Sequence, residues 1–190
     1  MLELTAGLVL FFAAHTFSMF RDARAALVAR LGALPYRGLY SVVSLAGFIL
    51  IVHGYGEAPR IDVWLPPAGL RHVAMLLMLP IFVLLAAAYV PGHIKAKVGN
   101  PMLLALKIWA LAHLLVNGDL ASMLLFSAFL AFGVVDLIAV KRSGRSAVVD
   151  SPRVLFDVLA IVVGLVIYGG FVMGLHRVLT GVPIIAGMPV

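Results

Sequence analysis

Apolar runs of roughly 17–25 residues recur along the chain, the length a helix needs to cross the hydrocarbon core of a bilayer. Short links that are charged or rich in Pro and Gly separate them. The runs do not alternate apolar with polar residues, which excludes transmembrane strands. Only 12% of the residues are charged, against about a quarter in a soluble domain. With 64% hydrophobic residues and a mean hydropathy of +1.15, the chain reads as an all-α, polytopic integral membrane bundle. About six transmembrane helices are expected, in one domain over residues 1–190.

Local signals divide the runs. Helix 1 is expected from about Glu3 to Phe20, with a more amphipathic continuation RDARAALVARLG that Gly32 can end. Helix 2 is expected over about 36–53, and helix 3 over about 70–89 with a kink at Pro80. The link VPGHIKAKVG is short and basic. Asn100 and Pro101 suit the start of helix 4, which Asn117-Gly118 stops. Asp119 then caps helix 5, making helices 4 and 5 an antiparallel hairpin. Helix 6 is expected to begin at Asp150 or Ser151 with Pro152 and to reach about Leu179, its Gly164, Gly169, Gly170 and Gly174 packing against a neighbour. The tail TGVPIIAGMPV reads as an apolar loop, and MLEL, without a basic region, as the start of a span and not a removable signal.

The formal net charge of +6 does not point to nucleic acid, because the cations gather in alternate links. Arg21, Arg24, Arg30 and Arg37 lie in the first, Lys95 and Lys97 in the third, and Lys141, Arg142, Arg145 and Arg153 around the fifth. In the second link Arg60 and Arg71 face Glu57 and Asp62, and the fourth has no base. The positive-inside rule then puts the odd links in the cytoplasm and both termini outside it.

Six histidines and no cysteine set the chemistry available. No disulfide, thiolate ligand or Cys nucleophile exists. His93 reads as a solvated loop residue, and His53 as an interfacial one. His72 and His176 fall near the outer helix ends, where they either meet or snorkel. His15 and His113 lie deeper, and an ionisable group inside the membrane marks a site. Each is about 18 Å along its helix but counted from opposite faces, so their levels differ by about 6 Å in a ~30 Å core. Trp109, His113 and Asn117, four residues apart, share one helix face. Two imidazoles among apolar helices, without thiols or a carboxylate cluster, suit axial ligation of a heme iron. Zinc would want four ligands. The alternative, in which each histidine only hydrogen-bonds a neighbouring helix, stays open.

The remaining polar groups have structural explanations. Lys107 and Asp157 enter their helices from the same side and can neutralise each other, and Asp136 can reach water. Arg21 and Arg37 are topology determinants or partners for heme propionates. Met75, Met78 and Met123 are packing residues.

At HTFSMFRDAR, PYRGLYS and NPMLLALKIWALAHLLVNGDLASMLLF the chain resembles the NnrU family, and the GVP after His176 also fits. The resemblance covers nearly the whole chain. It implies a bacterial inner-membrane protein associated with denitrification, related to the zeta-carotene isomerases of plants and cyanobacteria. The isomerase branch implies heme b held by histidines on helices 1 and 4, here His15 and His113, and a cis-to-trans change of a carotenoid double bond when the iron is reduced. Two positions depart from the pattern. Ala110 stands where isomerases carry a cysteine, which removes any ligand switch that needs the thiol. Asn100-Pro101 replaces a frequent His-Pro.

The leading expectation is therefore an NnrU-type membrane protein with heme b between His15 and His113, and Tyr40 and Trp109 close by. Its chemistry would be redox-linked, on a lipophilic molecule such as a polyene or quinone, or it would sense nitric oxide. A heme-free factor supporting denitrification enzymes is the second reading, and a small transporter a weaker third, for which Pro80 alone is thin support. The bilayer is the certain partner. A homo-oligomer is left open.

Overall fold

The computed structural model describes residues 1–144 and 148–185; Arg145 of the fifth link and the last five residues of the tail lie outside them. Among the described residues there is no strand. The helices are α1 (Leu2–Phe17), α2 (Arg21–Leu31), α3 (Ala33–Gly56), α4 (Leu70–Ala87), α5 (His93–Val98), α6 (Pro101–Leu114), α7 (Leu120–Arg142), α8 (Val154–Gly170) and α9 (His176–Thr180). A π-helical turn, Phe171–Leu175, joins α8 to α9.

Four of these segments are long and apolar enough to cross a membrane alone: α3, α4, α7 and the α8–α9 unit. The pair α1–α2 brings the number to five. At 14 residues α6 is only about 21 Å long. Six apolar segments are present, as expected, but the count of full spans is four or five. The reason lies in the breaks. Helix 1 stops at Phe17, where the Ser18 hydroxyl donates to the His15 carbonyl, and α2 leaves at 89° to it.

Contacts place the helices in the neighbour order α3, α1, α7, α6, α4, α8. One core cluster joins Leu4 and Leu8 of α1, Ile51 of α3, Ala110 of α6 and Phe126 of α7. A second joins Ile81 and Leu84 of α4 to Ala105 of α6, and Trp109 packs against both.

Glycine sets the closest approach. A Cβ on Gly47 would meet Phe11 N at 2.7 Å, one on Gly7 would meet Ile51 N at 2.6 Å, and one on Gly54 would strike the Leu4 backbone. The α1–α3 pair can therefore sit backbone to backbone, as small residues allow in lipid. Gly164 does the same for α8, against Val83 of α4 at 2.6 Å. Gly169, Gly170 and Gly174 touch no neighbour within 4 Å, contrary to expectation. At φ 157° Gly174 instead allows the break that ends α8 early.

Both expected caps of the α6–α7 hairpin are present. Asn100 Oδ1 accepts from Leu103 N (3.4 Å), and Asp119 Oδ1 from Ser122 N (2.9 Å). The cap expected for helix 6 is absent: α8 starts at Val154, and Arg153 N donates to the Pro91 carbonyl instead. α4 continues as one helix through Pro80.

The two ends of the bundle differ. At the hairpin end the loop after α3 is strapped onto the turn after α6. Val63 N and Trp64 N donate to Gly118 O (2.8 and 3.1 Å), and Leu120 N donates to Ile61 O (2.8 Å). A Cβ on Gly118 would collide with the Trp64 carbonyl. At the opposite, basic end sit α2, α5 and the N-termini of α3, α6 and α8. There Lys95 Nζ donates to Ala88 O (2.7 Å), a cation on the last carbonyls of α4.

Candidate functional site

His15 and His113 share one local design. Each ring nitrogen Nδ1 sits on the carbonyl four residues back, His15 on Phe11 O at 2.7 Å and His113 on Trp109 O at 2.9 Å. A carbonyl can only accept, so Nδ1 carries a proton, and in the neutral ring Nε2 is the acceptor. Metal-bound histidines are commonly held in this way, the outer N–H fixing the tautomer and the ring direction. Asn117 continues the face, its Nδ2 donating to His113 O at 2.9 Å, so Trp109, His113 and Asn117 are linked as their spacing implies.

Aromatic rings fill the space around and between them. His15 stacks on Phe11 at 4.0 Å and lies 5.4 Å from Tyr40 and 5.9 Å from Phe132. His113 stacks on Phe126 at 4.5 Å, with Trp109 at 5.1 Å. Phe129 joins the groups, 4.9 Å from Phe12 and 5.5 Å from Trp109.

The histidines are not brought side by side. Each touches α7, but at phenylalanines six residues apart, a rise of about 9 Å. The expected difference was about 6 Å. His15 lies in the last turn of α1 and His113 in the last turn of α6, so early helix ends at Phe17 and Leu114 put them nearer opposite ends of the bundle. As single axial ligands both imidazoles fit an iron: the ring is oriented by its Nδ1 bond and set among aromatic side chains. As a pair on one iron they need Phe12, Phe129 and Trp109 to part.

The other candidates fall in different places. Arg21 lines an open cleft with Ser18, Asp22, Arg24 and Ala25; Arg37, in the first turns of α3, is not part of it. His72 is exposed at the start of α4. His176 Nδ1 lies on Val182 O at 2.7 Å. His72 and His176 do not form a pair with each other. Among the described residues no three His, Cys, Asp or Glu side chains gather as a metal site. Ala110, one turn before Leu114 on α6, is fully buried.

Two expectations about charges are corrected. Asp157 is engaged by α5 and not by Lys107: it accepts from His93 N (3.0 Å), Ile94 N (2.9 Å) and the His93 ring (2.8 Å). His93 is exposed, as expected, but it is tethered in α5 and not in a loop. The sequence hid this because α5 reads as a loop until a carboxylate from another helix supplies its N-terminal cap.

Three polar features carry no motif. Ser44, one turn from Tyr40 on α3, has a buried hydroxyl without a hydrogen-bond partner. His53 Nδ1 meets Glu3 Oε2 at 2.7 Å. Tyr55 OH, Ser122 Oγ and Asp119 form a relay at the hairpin end, 2.8 Å and 2.6 Å long. Burial tends to raise the Asp119 carboxyl, but bonds from the Ser122 hydroxyl and N–H, with Arg60 nearby, hold it below the ordinary carboxylate value.

Neither a curated protein nor a solved structure matches the chain. One family model does, that of the NnrU protein, and it covers residues 3–184, which hold all of α2 through α9, all but the first residue of α1, and all six histidines. The chain belongs to the NnrU family.

Proposed function

We propose that this NnrU-family membrane protein serves denitrification or nitric oxide metabolism and binds heme b through the imidazoles of His15 and His113. The observation that carries this reading is their common geometry, with Nδ1 fixed on a helix carbonyl and Nε2 left bare in an aromatic, apolar setting. A bound heme would supply one-electron chemistry, or bind nitric oxide, at a depth where lipophilic molecules arrive from the bilayer. The chain's own part is to keep both imidazoles aimed, with Tyr40 and Trp109 shaping the approach. If it is catalytic, an isomerase or oxidoreductase acting on a polyene or quinone fits that setting.

The test is an absorption spectrum of the detergent-purified protein, expressed with added heme, oxidised and then reduced with dithionite. A Soret band with sharp reduced α and β bands, lost in both His15→Ala and His113→Ala, is the expected result. A band that survives both variants moves the ligand to His72 or His176.

A second reading has its own support. Phe12, Phe129 and Trp109 already fill the gap between the histidines, as they would in a heme-free scaffold that assists denitrification enzymes. A colourless protein whose biological effect survives both substitutions selects that reading.

A further inference from the structure

The elbow between α1 and α2 is a second place where the fold prepares a site. α2 turns away at 89° from α1 and packs on the start of α3, so it runs across the bundle's basic end. Its first residues, with Ser18, line an open cleft of about 660 Å³ that presents Arg21 and Arg24. Neither guanidinium forms an ion pair among the described residues. Arg24 lies over the ring of buried Tyr36, 5.6 Å from its centroid, which restricts it before any ligand arrives.

The surroundings select the ligand. Phe20, the residue that leads from the bend into α2, is 63% exposed. An arginine cleft with a bare aromatic side chain next to it in the chain suits an amphiphile, its anionic head on the guanidiniums and an acyl chain on Phe20. Asp22 on the cleft wall opposes a second negative charge, so a singly charged phosphodiester suits it better than a phosphate dianion. We infer that the α1–α2 elbow is a binding site for the headgroup of an anionic phospholipid, with Arg21 and Arg24 as its phosphate ligands. Ser18, which donates to the His15 carbonyl, makes the cleft continuous with the turn that carries His15.

Hydrogen exchange of the full chain in nanodiscs tests this. Phosphatidylcholine discs with and without phosphatidylglycerol are compared, reading the amides of residues 21–31. Phosphatidylglycerol should slow their exchange, and Arg21→Ala and Arg24→Ala should each remove about fivefold of that protection, near 1 kcal/mol per arginine at an anionic surface. Arg30→Ala, outside the cleft, should have a smaller effect. Equal exchange in both discs overturns the proposal, as does an Arg30→Ala effect as large as the others, which would mean diffuse surface attraction. Inorganic phosphate reproducing the protection in phosphatidylcholine discs overturns it too, in favour of a free-anion site. So does a double variant that loses a Soret band while keeping the phosphatidylglycerol effect, which would assign the arginines to cofactor carboxylates.

Discussion

Tyr55 and Ser122 join α3 to α7 through a single hydroxyl pair 2.8 Å long, and Ser122 is the fully buried member. The Ser122 proton is given to Asp119 at 2.6 Å, so Tyr55 must donate to Ser122. Tyr55→Phe should therefore cost about 1 kcal/mol, the net worth of one hydrogen bond, without moving the helices. Ser122→Ala should cost more, since it strips both Tyr55 and Asp119 of a partner. Thermal unfolding in detergent, scored by helix ellipticity, orders the two variants.

Asp119 should make stability at the hairpin end depend on pH in acid. Its folded carboxyl titrates below the ordinary value of 3.8, so the ionised carboxylate's contribution is fully present above that value. It is lost as pH falls through the folded value. Asp119→Asn keeps a capping oxygen that does not titrate. The gap between wild type and Asp119→Asn should be open at neutral pH and close below about pH 4. Asp119→Ala should lose the cap at every pH, about 1 kcal/mol.

Gly47 and Gly169 form a matched pair for testing the α1–α3 contact. Alanine at position 47 puts a methyl 2.7 Å from the Phe11 backbone, whereas at 169 nothing lies within 4 Å. Gly47→Ala should destabilise by about 1–3 kcal/mol through forced separation of the helices. Gly169→Ala should be neutral or slightly stabilising. Equal behaviour in a melting experiment would mean that α1 and α3 do not rely on that approach.

Asp157→Ala should release α5 while leaving α8 in place, because the carboxylate holds the first two N–H groups of α5 and the His93 ring. Faster exchange confined to residues 93–98, with α8 amides unchanged, is the expected pattern.

What could be read from the chain follows the range of the interactions. Apolar run length, the Asn100-Pro101 start and the Asn117-Gly118-Asp119 turn act within a few residues, and each forms as its local chemistry dictates. Contacts between distant segments were hidden. Nothing near Gly47 or Gly54 announces that Phe11 and Leu4 will press against them. The π-helical break at Gly174 was missed because glycine in an apolar helix has two uses, close packing and release of φ, and sequence does not separate them. At the candidate site the residue types and the shared face of Trp109, His113 and Asn117 were legible. The depth of His15 was not, because it depends on where α1 stops, and a Ser18 back-bond decides that.

The neighbour order of the helices places a seam through the molecule. α1 and α3 form one half and α6, α4 and α8 the other, with α7 touching both across Phe129. His15 belongs to the first half and His113 to the second. A guest gripped by both histidines would have to pry the halves apart, so part of its intrinsic affinity would be spent on that opening. The chain would then take up its guest as a clasp does, closed when empty and spread when filled. Any substitution that loosens α1 from α7 would tighten binding in the same measure.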